Sequence, residues 1–125
     1  MIVKRDRWIR DLFRYLDAKD CNGWLEFLAP DARFRFGNAA VVQGRDAIGE
    51  AVTAFFTSIS TLRHDLEDTW WHPDTVICHG QVTYQRLDGS TLSVPFANVL
   101  KLDDKRVHDY LIYADTSELY SPPAR

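Results

Sequence analysis

The sequence predicts an α+β fold in which helices from the first half of the chain cover one face of a curved sheet. Two observations lead to this prediction. About the first sixty residues show helical periodicity around one short strand, whereas the rest alternates with a period of two and is rich in aromatic and β-branched residues. Because the second half has no helix of its own, the earlier helices must cover its sheet, and such a sheet can enclose a pocket.

Three helices are predicted in the first half. Residues 5–18 place their apolar side chains on one helical face, and Asp20 is suited to cap a short second helix that ends at Pro30. Residues 31–36 alternate as a half-buried strand does. The third helix is expected over residues 45–59.

Four long strands follow, over residues 62–72, 75–87, 91–102 and 106–115. Their short links predict consecutive antiparallel hairpins, and Asp88-Gly89 is the strongest turn signal in the chain. Pro95 lies inside the third of these strands, which predicts a bulge or a bend at that point.

Length and composition indicate a single domain over residues 1–125, with a loose tail at 121–125. The net charge of -3 argues against a nucleic-acid partner, because binding phosphates needs a basic stripe. No apolar run suits a signal peptide or a membrane span, so a cytoplasmic protein with no membrane partner is expected. Cys21 and Cys78 have no CxxC spacing and are expected to be buried free thiols.

Four local strings resemble the nuclear transport factor 2-like superfamily, and within it the SnoaL-like branch: LAPDARFRF, QGRDAI, VTYQRLDGSTLSVPFANVLKL and DYLIYADTSELY. The resemblance implies a cone of curved antiparallel sheet wrapped around a long helix, with a pocket between them. It also implies a homodimer joined through the sheet. The scaffold serves isomerases, dehydratases, epoxide hydrolases, polyketide cyclases and proteins without chemistry, so it does not fix a function.

Comparison with ketosteroid isomerase-like members shows two departures. Phe36 stands where those members have a catalytic Asp, and Leu12 stands where they have a Tyr donor. The resemblance places Asn98 close to their oxyanion-binding Asp. Steroid isomerisation by that mechanism would therefore lack its general base.

Other members match at different positions. The resemblance to scytalone dehydratase-like proteins places Asp17, His64 and His79 at functional positions, although Leu16 replaces a tyrosine of that family. The resemblance to polyketide cyclase-like proteins places Asp115 at the position of an acid-base Asp.

The residues themselves leave alternatives open. If Asp115 faces the pocket, burial would raise its pKa and suit it to proton transfer, but it could equally cap a turn. Strict alternation places His64 on the same side as Trp70, either as a core group or as a base. His79 could face either side of the sheet, and Asp17 could be a solvated acid at a helix end. The remaining two polar candidates are Asn98, a buried amide in need of partners, and Tyr113, which shares the parity of Asp115.

We therefore expect a homodimer that binds a small, mostly apolar organic molecule and, if it is an enzyme, performs cofactor-free acid-base chemistry of the lyase, isomerase or cyclase type. Asp115 or His64 would move a proton, while Asn98 and Tyr113 orient an oxygen of the ligand. The expected wall consists of Phe34, Phe36, Phe55, Phe56 and Trp70. No metal site is expected, because the histidines lack ligand spacing. The alternative is a non-catalytic binding or interaction module.

Overall fold

The computed structural model describes residues 2–120, so the expected tail at 121–125 lies outside the described residues. Three helices and six strands follow one another in an α+β arrangement, which confirms the predicted fold class. Their order is α1 Ile2–Asp17, α2 Cys21–Leu25, β1 Leu28–Phe36, β2 Val42–Gln43, α3 Arg45–Thr57, β3 Thr61–His72, β4 Thr75–Gln85, β5 Thr91–Asp103 and β6 Arg106–Ala114.

The strands form one curved sheet in the order β2-β1-β6-β5-β4-β3. Strands β3 to β6 are joined as consecutive antiparallel hairpins, as the short links predict. Strand β1 instead runs parallel to β6, so the sheet is mixed. The three helices pack against one face of the sheet, which we call the inner face, and the core lies between them.

The end of α1 is fixed by a Schellman motif. Lys19 adopts the left-handed conformation, with φ of 57°, and the Asp20 N–H donates to the Tyr15 carbonyl at 2.8 Å. The Lys19 ammonium donates to the Ile59 carbonyl at 2.8 Å, which ties this turn to the segment before β3. As a result, Asp17, the last residue of α1, is held against β3.

The region around Pro30 differs from the prediction. The short helix α2 ends at Leu25, and β1 already begins at Leu28, so Pro30 lies within a strand and does not terminate a helix. A register shift between Leu28 and Arg33 accommodates it, because proline cannot donate to a regular ladder. The two-residue strand β2 was not predicted, since so short a segment has no periodicity.

Of the bulge or bend predicted at Pro95, the bulge is wrong. The β4–β5 ladder continues without a shift through the pair Gln81–Pro95. Strand β6 ends at Ala114, opposite Phe96, so Pro95 has no strand beside it on its other side. Proline is tolerated at such an edge position because no neighbouring strand needs a hydrogen bond from the N–H that proline lacks.

A bulge does occur in β3, between Leu66 and Asp68. Leu66 lies opposite Gly80. A methyl group on residue 80 would collide with the Asp65 carbonyl oxygen, so the lack of a side chain at Gly80 permits β3 to approach β4 closely at the bulge. The extra residue reverses which face the following side chains occupy. This reversal decides the position of Trp70, described below.

Within residues 2–120, the helices are too short or too polar to cross a membrane.

Candidate ligand cavity and acid-base pair

A cavity of about 160 Å³ lies between the inner face of the sheet and the helices. Its lining is mainly apolar and includes four of the five expected wall residues, Phe34, Phe36, Phe55 and Phe56. Ala39, Ala40 and Ala51 also line it and are exposed, so they mark its mouth.

His64 and Asp17 form the main polar pair of this region. The His64 Nδ1–H donates to Asp17 Oδ1 at 2.6 Å, and the His64 backbone N–H donates to Asp17 Oδ2 at 3.0 Å. The His64 side chain is 11% exposed and that of Asp17 is 26% exposed. His64 lines the cavity, and both residues also line a separate groove between α1 and β3.

Aromatic contacts hold the imidazole ring of His64. Its centroid lies 4.7 Å from that of Phe13 and 5.2 Å from that of Phe96, the latter edge to face. The Asp17 carboxylate selects the tautomer with the proton on Nδ1, which leaves the Nε2 lone pair free to accept a proton. A histidine oriented in this way by a carboxylate has the geometry of a general base.

Asn98 lies on the inner face of β5, is 2% exposed and lines the cavity. Two other residues of the wall, Trp24 and Tyr110, are fully buried and carry polar atoms. Burial raises the pKa of Tyr110 above its usual range and Cys78 adds to this rise, whereas the Trp24 indole N–H beside the hydroxyl lowers the pKa. No sequence signal marks Trp24 or Tyr110 as functional, because a tryptophan or tyrosine in a periodic pattern indicates core packing.

Asp115 does not face the cavity, contrary to the expectation. It is exposed and follows the end of β6, where its carboxylate accepts a hydrogen bond from the Ser117 N–H at 3.0 Å. This bond lowers the pKa of Asp115, whereas the buried position expected for it would have raised the pKa. Asp115 is therefore a turn-capping acid in this structure.

Tyr113, Trp70 and His79 also lie outside the cavity. Tyr113 is 58% exposed on the outer face of β6, beside Ala97 of β5. Trp70 is 50% exposed because the β3 bulge turns it outward, and its ring stacks on that of His79 at 5.4 Å. His79 is held on this outer face with Asp68, whose carboxylate lies 3.4 Å from its Nε2. The dehydratase-like pair of inward histidines is thus not present.

Both cysteines are free thiols, Cys78 buried and Cys21 only partly buried. Burial raises the pKa of Cys78 to about 12, so the thiol is protonated at neutral pH.

Among the described side chains, no three His, Cys, Asp or Glu residues come together as metal ligands.

Solved structures of several different kinds of protein share this fold. An NTF2-like protein of unknown function from Burkholderia pseudomallei has a TM-score of 0.81 at 19% identity, over 89% of this chain and 90% of that one. A proposed SnoaL-like polyketide cyclase from Jannaschia sp. CCS1 has a TM-score of 0.72 at 19% identity, over 82% and 80%. An LEH-like epoxide hydrolase of M. tuberculosis has a TM-score of 0.76 at 11% identity, over 91% and 84%. At these identities the similarity establishes the fold alone.

The sequence comparison is more specific. No curated protein matches the chain. Residues 9–110 match the profile of the SnoaL-like domain, which covers most of the chain and includes α2, α3 and strands β1 to β5. The chain therefore belongs to the SnoaL-like domain family.

Proposed function

We propose that this protein is a cofactor-free acid-base enzyme that acts on a small, mostly apolar organic molecule. The observation that carries the proposal is the His64–Asp17 pair, because His64 is oriented by a carboxylate and lines an apolar cavity. The neighbours described as a polyketide cyclase and an epoxide hydrolase support only the general class, since their identities to this chain are 19% and 11%.

In this proposal the Nε2 of His64 removes a proton from a carbon or oxygen of the ligand. Asp17 stabilises the imidazolium that forms, because its carboxylate already accepts the Nδ1–H. The imidazolium then returns the proton to a second position of the ligand or to a departing hydroxyl group. Isomerase, cyclase and lyase reactions all fit this sequence of proton transfers.

The cavity volume limits the ligand. A dry cavity of about 150 Å³ is known to accept benzene, and the cavity here is of similar size, about 160 Å³. The ligand, or the part of it that enters, is therefore comparable to a single aromatic ring.

Proton exchange into a ring-sized ketone tests the proposal directly. We would incubate the protein with 2-indanone in D₂O and follow the loss of the protons next to the carbonyl by ¹H NMR. We expect exchange faster than in buffer, lost in His64→Gln and retained in Asp115→Asn. Binding of 2-indanone without faster exchange would overturn the enzymatic proposal and favour a non-catalytic binding module.

The proposal includes a homodimer formed through the outer face of the sheet. Ile77, Val99 and Leu111 are direct cross-strand neighbours on this face, and Trp70 lies opposite Ile77. All four are at least partly exposed, which gives an apolar band suited to a second copy of the chain. Sedimentation equilibrium should give a dimer for the wild type and a monomer for Val99→Glu. A monomeric wild type at micromolar concentration would contradict this part of the proposal.

A further inference from the structure

The apolar band on the outer face of the sheet has a cation at one end and two carboxylates at the other. Arg35 of β1 lies one residue from the partner of Phe34 and pairs with Leu111, at the β1 end of the band. Trp70 of β3 lies opposite Ile77, at the other end. Four strand spacings separate β1 from β3, roughly 19 Å in all, so the two ends do not meet within one chain.

The bulge in β3 creates the acidic end. In strict alternation Glu67 and Asp68 would lie on opposite faces, but the extra residue brings both carboxylates beside His79 on the outer face. Glu67 Oε1 lies 3.9 Å from His79 Nδ1, and Asp68 Oδ2 lies 3.4 Å from His79 Nε2. Trp70 covers the His79 ring with one of its faces and is still half exposed. We call Glu67, Asp68 and Trp70 the acidic corner.

Arg35 has the chemistry that fits this corner. It is exposed, and its Nε–H donates to the Ala39 carbonyl at 3.1 Å, which fixes the side chain and leaves both Nη groups available. Among the described residues, no carboxylate forms an ion pair with it. A guanidinium group stacks on the face of a tryptophan and donates to carboxylates through its Nη groups.

The symmetry of a dimer decides whether the two ends can meet. A twofold axis that relates two sheets stacked face to face lies between them and parallel to both. If the axis ran across the strands, each strand would face its own copy, so Arg35 would oppose Arg35 and the acidic corners would oppose each other. If the axis runs along β5, the middle of the five strands from β1 to β3, then β1 of one copy faces β3 of the other.

The second arrangement is the one that the charges favour. It places both arginines against carboxylates and keeps the apolar band against the band of the other copy. The angle of about 30° between aligned sheets moves the facing ends by only about one or two residues along the strands, within reach of an arginine side chain.

We propose that Arg35 of each copy binds the acidic corner of the other copy, so that the twofold axis of the dimer runs along β5. This inference rests on the homodimer proposed above and adds the contact that sets its orientation. The apolar band supplies the buried area, and the two charged ends select one register of the two sheets.

A charge exchange tests the contact. Sedimentation equilibrium would give the dimer dissociation constants of the wild type, Arg35→Glu, Asp68→Arg and the variant with both substitutions. We expect each single substitution to weaken the dimer about tenfold to a hundredfold, because attraction becomes repulsion and the contact occurs twice. The double variant restores opposite charges and should dimerise about tenfold more tightly than either single variant. Arg10→Glu, which makes the same charge change on α1, serves as the control and should dimerise as the wild type does.

Salt provides a second readout that does not depend on reversed charges. The wild-type dimer should weaken between about 50 mM and 500 mM NaCl, because salt screens exposed ion pairs. Arg35→Gln should lose most of this salt dependence, whereas Arg10→Gln should retain it.

The outcomes separate this contact from the dimer itself. A wild type that stays monomeric would reject the homodimer and the contact together. A dimer with the same dissociation constant in Arg35→Glu and Arg10→Glu, or a double variant no tighter than the single variants, would overturn only the contact. Either result would leave His64-dependent proton exchange as a separate question, because neither Arg35 nor Asp68 lines the cavity.

Discussion

The carboxylate of Asp17 holds His64 at two points, its ring Nδ1 at 2.6 Å and its backbone N–H at 3.0 Å. One side chain at the end of α1 therefore fixes both the main chain and the imidazole of a residue 47 positions later, on β3. This double contact orients the histidine towards the cavity and also joins the first helix to the edge of the sheet.

Asp17→Asn should lower both stability and proton-exchange activity. The substitution retains the shape but removes the charge, and an amide cannot accept at both of its ends. We expect the free energy of unfolding to fall by about 1 to 3 kcal/mol, as for hydrogen bonds to a charged group. The exchange rate with 2-indanone should fall less than in His64→Gln, for which about 10²-fold to 10⁴-fold is expected for loss of a general base. Urea unfolding measures the free energy of unfolding, and ¹H NMR measures the exchange rate. An unchanged exchange rate in both Asp17→Asn and His64→Gln would reject the catalytic roles assigned to these two residues.

Asp115→Asn should have no effect on ligand binding or proton exchange. Its carboxylate is exposed and caps the turn at Ser117, away from the cavity. We would measure the affinity for 2-indanone and its exchange rate for this variant. A tenfold loss of exchange would show that Asp115 reaches the ligand in solution, contrary to its position here.

The protein should become less stable as the pH rises above about 9. Burial raises the pKa of Cys78 from 9.0 to about 12, so the folded protein retains the thiol proton more strongly than the unfolded chain does. The stabilisation is complete below pH 9 and is lost as the pH rises towards 12. The pKa values of Tyr84 and Tyr110 are also raised by burial, so they act in the same direction.

For Cys78 alone, the expected loss between pH 8 and pH 10.5 is roughly 2 kcal/mol, from 1.36 kcal/mol for each pH unit above the unfolded pKa. Urea unfolding at the two pH values measures it. Cys78→Ala should show a smaller loss than the wild type, and Cys21→Ala should behave as the wild type does. Equal losses in the two variants would mean that the Cys78 thiol does not contribute.

Gly80→Ala should strongly destabilise the fold. The added methyl group would collide with the Asp65 carbonyl oxygen, which belongs to the backbone of the bulged strand and cannot move aside alone. We expect a loss of about 2 to 4 kcal/mol or failure to fold, as for other overpacked core positions. Gly89→Ala is the matched control for crowding, because a methyl group there meets no atom within 4 Å, although its φ of 91° adds local strain. A smaller effect at Gly80 than at Gly89 would contradict the close approach.

The sequence by itself determined the fold class, the helices and the three hairpins, because hydrophobic periods of 3.6 and 2 and the turn residues are local signals. It also identified His64 and Asn98 as candidates, since polar groups stand out in an apolar alternation, whereas Asp17 became a candidate through the resemblance to scytalone dehydratase-like proteins. It did not pair Asp17 with His64, because their contact depends on how α1 ends and where β3 passes it.

The tertiary structure alone decided which residues face the cavity. Simple alternation predicts Trp70 on the same face of the sheet as His64. One extra residue between Leu66 and Asp68 moves the side chains that follow to the opposite face. Tyr113 and Asp115 were misplaced because nothing in the last strand indicates which of its two faces meets the helices. A period of two tells which residues share a face, whereas bulges and neighbouring strands decide which face is buried.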